Sequence, residues 1–351
     1  MCNMAAYTGN KPAVKELIEL LRVQEGLAGG HFTGITTLHE GKLYMAKVCG
    51  DVDDLLKKTN VLDLPGTTGI AHSRTPGYAD DSWAQPFMAS DGSTVFCANG
   101  IGAGNVLPFP EDTFQRAEKI LAASPFSLST GVEAELPPYP KLSDGKYYHS
   151  TEIESALIAE FHRQGSDMRE AVKQAFSFMP TQIASLAMAA DEPETVTVMR
   201  YNQSLFYGRR DDGFCIATSC TAFQDLNYNW FQPVPVGSVG KLTADGISFE
   251  MLGAHLDKLV ISPDLAAAAK YFDQLLEPGK PLGLLDMFDQ MVKNHDISPE
   301  GYSCQDSFLL YTYLAEKLRR GEVSRSSRQV PGSRPGSLRT ETTFIKKKEC
   351  K

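Results

Sequence analysis

The order of periodic segments predicts a layered α+β protein rather than a chain of repeating βαβ units. Two strand-like runs follow an opening helix, helices come next, and a series of strands closes the main body. No internal repeat of about 20 to 50 residues interrupts this order, which excludes a solenoid or propeller. With 351 residues, 42% hydrophobic and 22% charged, the chain can bury a large core.

The elements follow in order. A helix over 11–25 places Val14, Leu17, Ile18 and Leu21 on one face, with Asn10 and Pro12 as its start signal. His31 to Leu38 and Lys42 to Val48 read as strands around a Glu40-Gly41 turn. Strands at 67–72 and 93–98 precede helices at 111–123 and 151–163. Met168, Ala171, Val172, Ala175, Phe176 and Met179 then recur at helical spacing up to Pro180. Strand-like runs at 181–189 and 194–201 flank the turn Asp191-Glu192-Pro193, and strands at 204–208 and 213–218 lead to a hairpin at Asp245-Gly246.

From about residue 260 the pattern becomes helical, at 263–276, 282–294 and 304–319. Glu277-Pro278-Gly279 and Ser298-Pro299-Glu300-Gly301 separate these helices. Residues 319–351 carry ten basic side chains against three Glu, a local charge of +7 that leaves −16 on the rest. Rich in Ser, Arg, Gly and Pro, this tail is expected to be disordered and solvated. The expected organisation is a main domain over 1–255, a helical appendage over 256–320 and a basic tail over 321–351.

Composition narrows the function. A formal net charge of −9 has the wrong sign for a chain that binds nucleic acid as a whole. Neither a run of about 18 apolar residues nor a basic start followed by an apolar core is present, so a soluble cytoplasmic protein without membrane attachment is expected. Seven cysteines are widely spread with no CxxC pair, and the seven histidines include no HExxH, so neither disulfide framework, metal nor other cofactor is expected. The Gly-rich run GIGAG at 100–104 lacks the third glycine of a dinucleotide fingerprint.

The second position carries the most chemistry. Once Met1 is removed, Cys2 holds both a thiol and an α-amine whose pKa near 8 lets it accept a proton close to neutral pH. Met1-Cys2-Asn3-Met4, Gly69-Ile70-Ala71-His72-Ser73-Arg74, Ala84-Gln85-Pro86-Phe87 and Asn99-Gly100-Ile101 occur in that order over about one hundred residues. With Ser150-Thr151-Glu152-Ile153-Glu154 and Gln203-Ser204-Leu205-Phe206-Tyr207-Gly208, this series resembles the class II glutamine amidotransferases, in particular the glutaminase domain of glucosamine-6-phosphate synthase. The resemblance runs to roughly residue 250.

It implies a four-layer αββα sandwich of the Ntn-hydrolase type and a glutaminase activity with Cys2 as nucleophile. The Asn99 side-chain amide and the Gly100 N–H would form the oxyanion hole, which needs preorganised donors. Arg74 would grip the substrate carboxylate through its planar fork, with Ser73 and His72 beside it. Glu152 falls where the family has an Asp for the α-ammonium. Three departures accompany the resemblance: Thr75-Pro76-Gly77-Tyr78 after the arginine, the longer Glu152, and Gly26-Leu27-Ala28-Gly29-Gly30 in place of a tyrosine-arginine-glycine loop. The expected ammonia acceptor is a partner protein, because about 100 C-terminal residues cannot hold two sugar-phosphate domains. Oligomers are compatible with this reading. The alternatives are another Ntn amidase or acylase, and a non-catalytic glutamine-sensing or scaffold module.

Overall fold

The computed structural model describes residues 2–100, 111–180, 183–210, 212–259, 264–292, 306–332 and 334–347. Most of the GIGAG run, the start of the expected 181–189 strand and the 293–305 stretch around the last helical expectations lie outside these residues. In chain order the first elements are β1 (Asn3–Gly9), α1 (Ala13–Glu25), β2 (Phe32–His39), β3 (Lys42–Val48), α2 (Val52–Lys58), β4 (Thr68–Arg74), β5 (Phe87–Met88) and β6 (Thr94–Asn99). Next come α3 (Thr113–Ala122), α4 (Ser150–Arg163), α5 (Met168–Phe178), β7 (Ala184–Ala189), β8 (Val196–Arg200), β9 (Phe206–Arg210), β10 (Gly213–Ala217), α6 (Cys220–Asp225), β11 (Trp230–Pro233), β12 (Ser238–Thr243) and β13 (Gly246–Met251). The chain closes with α7 (Leu265–Leu275), β14 (Leu282–Gly283), α8 (Leu284–Val292), α9 (Asp306–Arg319), β15 (Val323–Pro331) and β16 (Leu338–Lys346).

Two antiparallel sheets face each other. The first has the order β11-β9-β10-β1-β4-β2-β3 and the second β13-β12-β8-β7-β6-β5. Side chains alternate across β1, so that Met4 and Ala6 enter the space between the sheets while Ala5 and Tyr7 face α1 and α6. Likewise Val95 and Cys97 of β6 point between the sheets, whereas Phe96 and Ala98 meet α4 and α5. Both faces of these central strands are covered, which is why they read as small and apolar residues instead of an alternating pattern. The four-layer αββα architecture is therefore present: outer helices α1, α2 and α6, two sheets, then α4 and α5.

The C-terminal quarter departs from expectation. The tail expected to be disordered contains β15 and β16, which pair over their full nine-residue lengths, with β14 added at the edge of β16. Its basic residues meet acidic ones elsewhere on the chain, Arg325 with Asp225, Arg328 with Asp286, Arg334 with Asp81 and Lys346 with Asp273, and Arg328 also pairs with Glu341 across the hairpin. Only a few apolar anchors are required, and Val323 and Phe344 supply them at 3% and 0% exposure. Nor do the helices form a separate lobe. Phe272, Leu284, Leu309 and Tyr311 share one core cluster with Leu17 and Leu21 of α1 and Phe223 of α6.

Candidate active site

Three strand ends converge at one edge of the two sheets. β1 and β4 run antiparallel with Asn3 opposite Ser73 and Met4 opposite His72, which brings Cys2 beside the end of β4. From the facing sheet, β6 delivers Asn99. His72 Nε2 lies 3.1 Å from Asn99 Oδ1, and Asn99 Nδ2 donates to the Cys2 carbonyl at 2.7 Å. One amide N–H of Asn99 is thus held, and the second remains for another acceptor. Gln85 pins the strand just before it, since its side chain exchanges two hydrogen bonds with the Ala98 backbone. Gly100 follows with φ +105°, a left-handed conformation that a residue with a Cβ adopts only under strain.

Electrostatics single out one thiol. Burial pushes the Cys2 thiol up, but a hydrogen bond and the charge of His72, joined by the charge of the terminal amine and a hydrogen bond from the Thr75 backbone, outweigh it, and the pKa falls to about 6. Thr75 adds a hydroxyl 3.6 Å from the sulfur. Burial raises the thiols of Cys49, Cys97, Cys215 and Cys220 instead, so among the described cysteines Cys2 alone is poised as a thiolate. All five are free. His72, expected beside Arg74 at the substrate, couples Cys2 to Asn99.

Arg74 ends β4 inside an aromatic box. Its guanidinium lies 5.1 Å from the Phe32 ring, 5.9 Å from Trp83 and 5.8 Å from Tyr139. It donates to the Trp83 carbonyl at 3.3 Å and to the Tyr139 hydroxyl. Although 4% exposed, it has no carboxylate partner among the described residues. Ser73 points the other way: its hydroxyl accepts from Gly30 N at 2.8 Å and so fixes the Gly26–Gly30 loop behind the strand. That packing requires glycine at position 29, where a Cβ would collide with the Ser73 hydroxyl and Asn3. Ser73 thus holds the loop behind the strand.

Glu152 is held by the segment Ser129-Thr130. Its Oε1 accepts from Ser129 N at 2.7 Å and Ser129 Oγ at 2.6 Å, and its Oε2 from Thr130 N at 3.0 Å and Thr130 Oγ1 at 2.5 Å. Four donors saturate the carboxylate. The Thr130 segment then receives the Trp83 indole N–H on its carbonyl and the His149 N–H on its hydroxyl. His149 packs against Trp83, Phe87 and Tyr139, and burial followed by the charges of Arg74, His72 and Lys47 holds its pKa well below the usual range. Trp83, Tyr139 and His149 went unrecognised in the sequence, where Tyr139 sits in a proline-rich run that reads only as loop.

Among the described residues, no group of three or more His, Cys, Asp or Glu could hold a metal ion, and no helix is long and apolar enough to cross a membrane. No family model matches the chain. Curated relatives include the glutamine–fructose-6-phosphate aminotransferase of Pyrococcus horikoshii, 28% identical over 228 residues, which are 64% of this chain and 33% of that protein. The enzyme of the same name from Rhizobium leguminosarum bv. viciae is 26% identical over 65% of this chain and 34% of its own length. The chain thus spans about a third of these relatives. Among solved structures, the glutamine phosphoribosylpyrophosphate amidotransferase of B. subtilis superposes with a TM-score of 0.55 at 18% identity, over 72% of this chain and 50% of that one. At that identity the likeness is one of fold. In sequence and in fold, the chain is similar to the glutaminase domain of the class II glutamine amidotransferases.

Proposed function

We propose that this chain is an N-terminal-cysteine amidohydrolase that releases ammonia from glutamine or a close amide. One observation carries the reading: Cys2, whose thiol alone among the described cysteines is held toward its thiolate form, is tied through its carbonyl to the Asn99 amide and through its sulfur to His72 at the meeting point of β1, β4 and β6. In this reading Met1 is removed and the α-amine of Cys2 takes up the thiol proton. The thiolate attacks the side-chain amide carbon, a C–S bond forms, and negative charge collects on the former carbonyl oxygen. The second Asn99 N–H and the Gly100 N–H stabilise that oxyanion. The protonated amine gives its proton to the departing nitrogen, ammonia leaves, and a thioester remains that water hydrolyses back to the free thiol and a carboxylate. Arg74 binds the substrate's own carboxylate.

Ammonia transfer belongs to a separate acceptor in this proposal, one supplied by a partner protein. The packing of α7, α8, α9 and the β15–β16 hairpin into the core shared with α1 and α6 supports this, because among the described residues they assemble no core of their own. The free thiols suit a reducing, cytoplasmic setting.

The test is ammonia and acid release from glutamine, asparagine and simple acyl amides before and after alkylation of Cys2, with intact mass reporting whether Met1 is retained. Fully active protein that keeps Met1 would sink the terminal-amine mechanism. Formation of glucosamine 6-phosphate from glutamine and fructose 6-phosphate by the chain alone would sink the separate acceptor.

A further inference from the structure

The charges around Arg74 bear on what the far end of the substrate carries. A buried ammonium needs a carboxylate or several aligned acceptors, and without them its desolvation is strongly unfavourable. Among the described residues no carboxylate pairs with Arg74, and Glu152, which holds the Thr130 segment under Trp83, has its acceptor capacity taken by the N–H and O–H groups of Ser129 and Thr130. Glu154 lies two residues on along α4, and burial alone pushes its carboxyl up to about 8, with no charged group acting on it. Asp80 and Asp81 sit on the solvent side, where Asp80 holds the N–H and hydroxyl of Ser82 and Asp81 pairs with Arg334.

Apart from Tyr139 and Cys2, the other ionisable neighbours among the described residues are basic. Lys47 approaches from β3, donating to the carbonyls of Ser82 and Ala84 at 3.1 and 3.0 Å with its Nζ 5.0 Å from the Phe87 ring. His31, His72 and His149 lie here as well, all three buried. An incoming carboxylate meets an unneutralised guanidinium here; an incoming ammonium meets the same guanidinium, a lysine and an aromatic wall already occupied by a cation.

We infer that the substrate is the ω-amide of a dicarboxylic acid with no α-ammonium group, so that Arg74 takes its carboxylate and Glu152 is a positioning residue for the Trp83–Tyr139–His149 wall. This rests on the amidohydrolase reading and specifies its substrate class.

The experiment compares glutamine with glutaramate, the monoamide of glutaric acid, which differs from it only by lacking the α-amino group. The expected result is a kcat/KM for ammonia release at least tenfold higher for glutaramate; equal values or a preference for glutamine would overturn the inference. Glu152→Gln separates wall-building from ammonium binding, since loss of wall support lowers kcat/KM for both amides by the same factor. A KM rise confined to glutamine would assign Glu152 to the ammonium and overturn the inference as well. If neither amide yields ammonia, the hydrolase reading itself fails. The substrate class is then still read from protection of Cys2 against iodoacetamide: glutarate protecting at concentrations at least tenfold below glutamate upholds it, whereas equal protection, protection by glutamate first, or none overturns it.

Discussion

The strand pair β1–β4 and the hairpin β15–β16 are both antiparallel ladders, yet they are held in opposite ways. β1 and β4 lie at the centre of a sheet with both faces covered, and apart from Asn3, His72 and Arg74 they are built of small, apolar and hydroxyl residues. The hairpin buries Val323, Thr343 and Phe344, bonds its backbone to Gly26, Gly279 and β14, and adds a series of arginine and lysine ion pairs. A ladder enclosed by apolar layers fixes its end residues rigidly, and that is where Cys2, His72 and Arg74 sit. A ladder docked by exposed charges adds cover at little energy per contact. Chemistry belongs to the first kind of strand and enclosure to the second.

The largest effect that would sharpen this contrast is Cys2→Ala, which is expected to lower amide hydrolysis by roughly 10³-fold or more while leaving thermal unfolding unchanged. The pH dependence has a definite sign. Because the Cys2 pKa is lowered to about 6, its thiolate is present above that value and is lost as pH falls through it. Alkylation of Cys2 by iodoacetamide should therefore be half-maximal near pH 6, whereas an ordinary thiol would reach that point near pH 8.5. A midpoint above 8 would remove His72 from the activation of the thiol.

Phe344→Ala comes next and probes the second region. Phe344 is fully buried in the cluster shared with α1, α7 and α9, and deleting such a ring costs about 3–5 kcal/mol. The midpoint of urea unfolding should drop accordingly, with kcat per folded molecule retained. A loss below 1 kcal/mol would mean the hairpin does not seal the core. Asn99→Ala returns to the first region. It is expected to lower kcat by roughly a hundredfold, about 3 kcal/mol of transition-state stabilisation, with a smaller change in KM. Arg74→Lys, which cannot reproduce the planar fork, should act chiefly on KM. Reversal of these two patterns would exchange the roles of the residues.

The two regions also differ in how far they could be read in advance. Helices such as α1 and α5 were legible because each buries one stripe, and the strand ends around Cys2, His72 and Asn99 were legible because particular residue types are needed there. β1 itself shows no alternation, since Met4 and Ala5 are both buried on opposite faces; its neighbours β4 and β10 settle its conformation. The direction of Ser73 and the four donors on Glu152 depend on segments 43 and about 22 residues distant, which no local pattern contains. In the tail, a composition poor in apolar residues suggested disorder. The signal that pointed elsewhere was global: +7 on the tail against −16 on the rest leaves ample acidic groups for intramolecular pairing.

The smallest effect tests whether that pairing is individually weak. Arg334 at the hairpin turn reaches Asp81 at 2.8 Å, but their side chains are 42% and 57% exposed. Water and salt screen such a pair, so a double-mutant cycle of Arg334→Ala and Asp81→Ala should give a coupling of only about 0.2–1 kcal/mol, shrinking further in about 1 M salt, where the Debye length is near 3 Å. Asp81 also accepts from Cys49 N at 2.6 Å, so the single Asp81→Ala change should exceed Arg334→Ala in its effect on stability. A coupling above about 2 kcal/mol that persists in salt would place the hairpin turn among the enclosed parts of the molecule, and the distinction between a ladder that fixes residues and one that covers them would fail at that point.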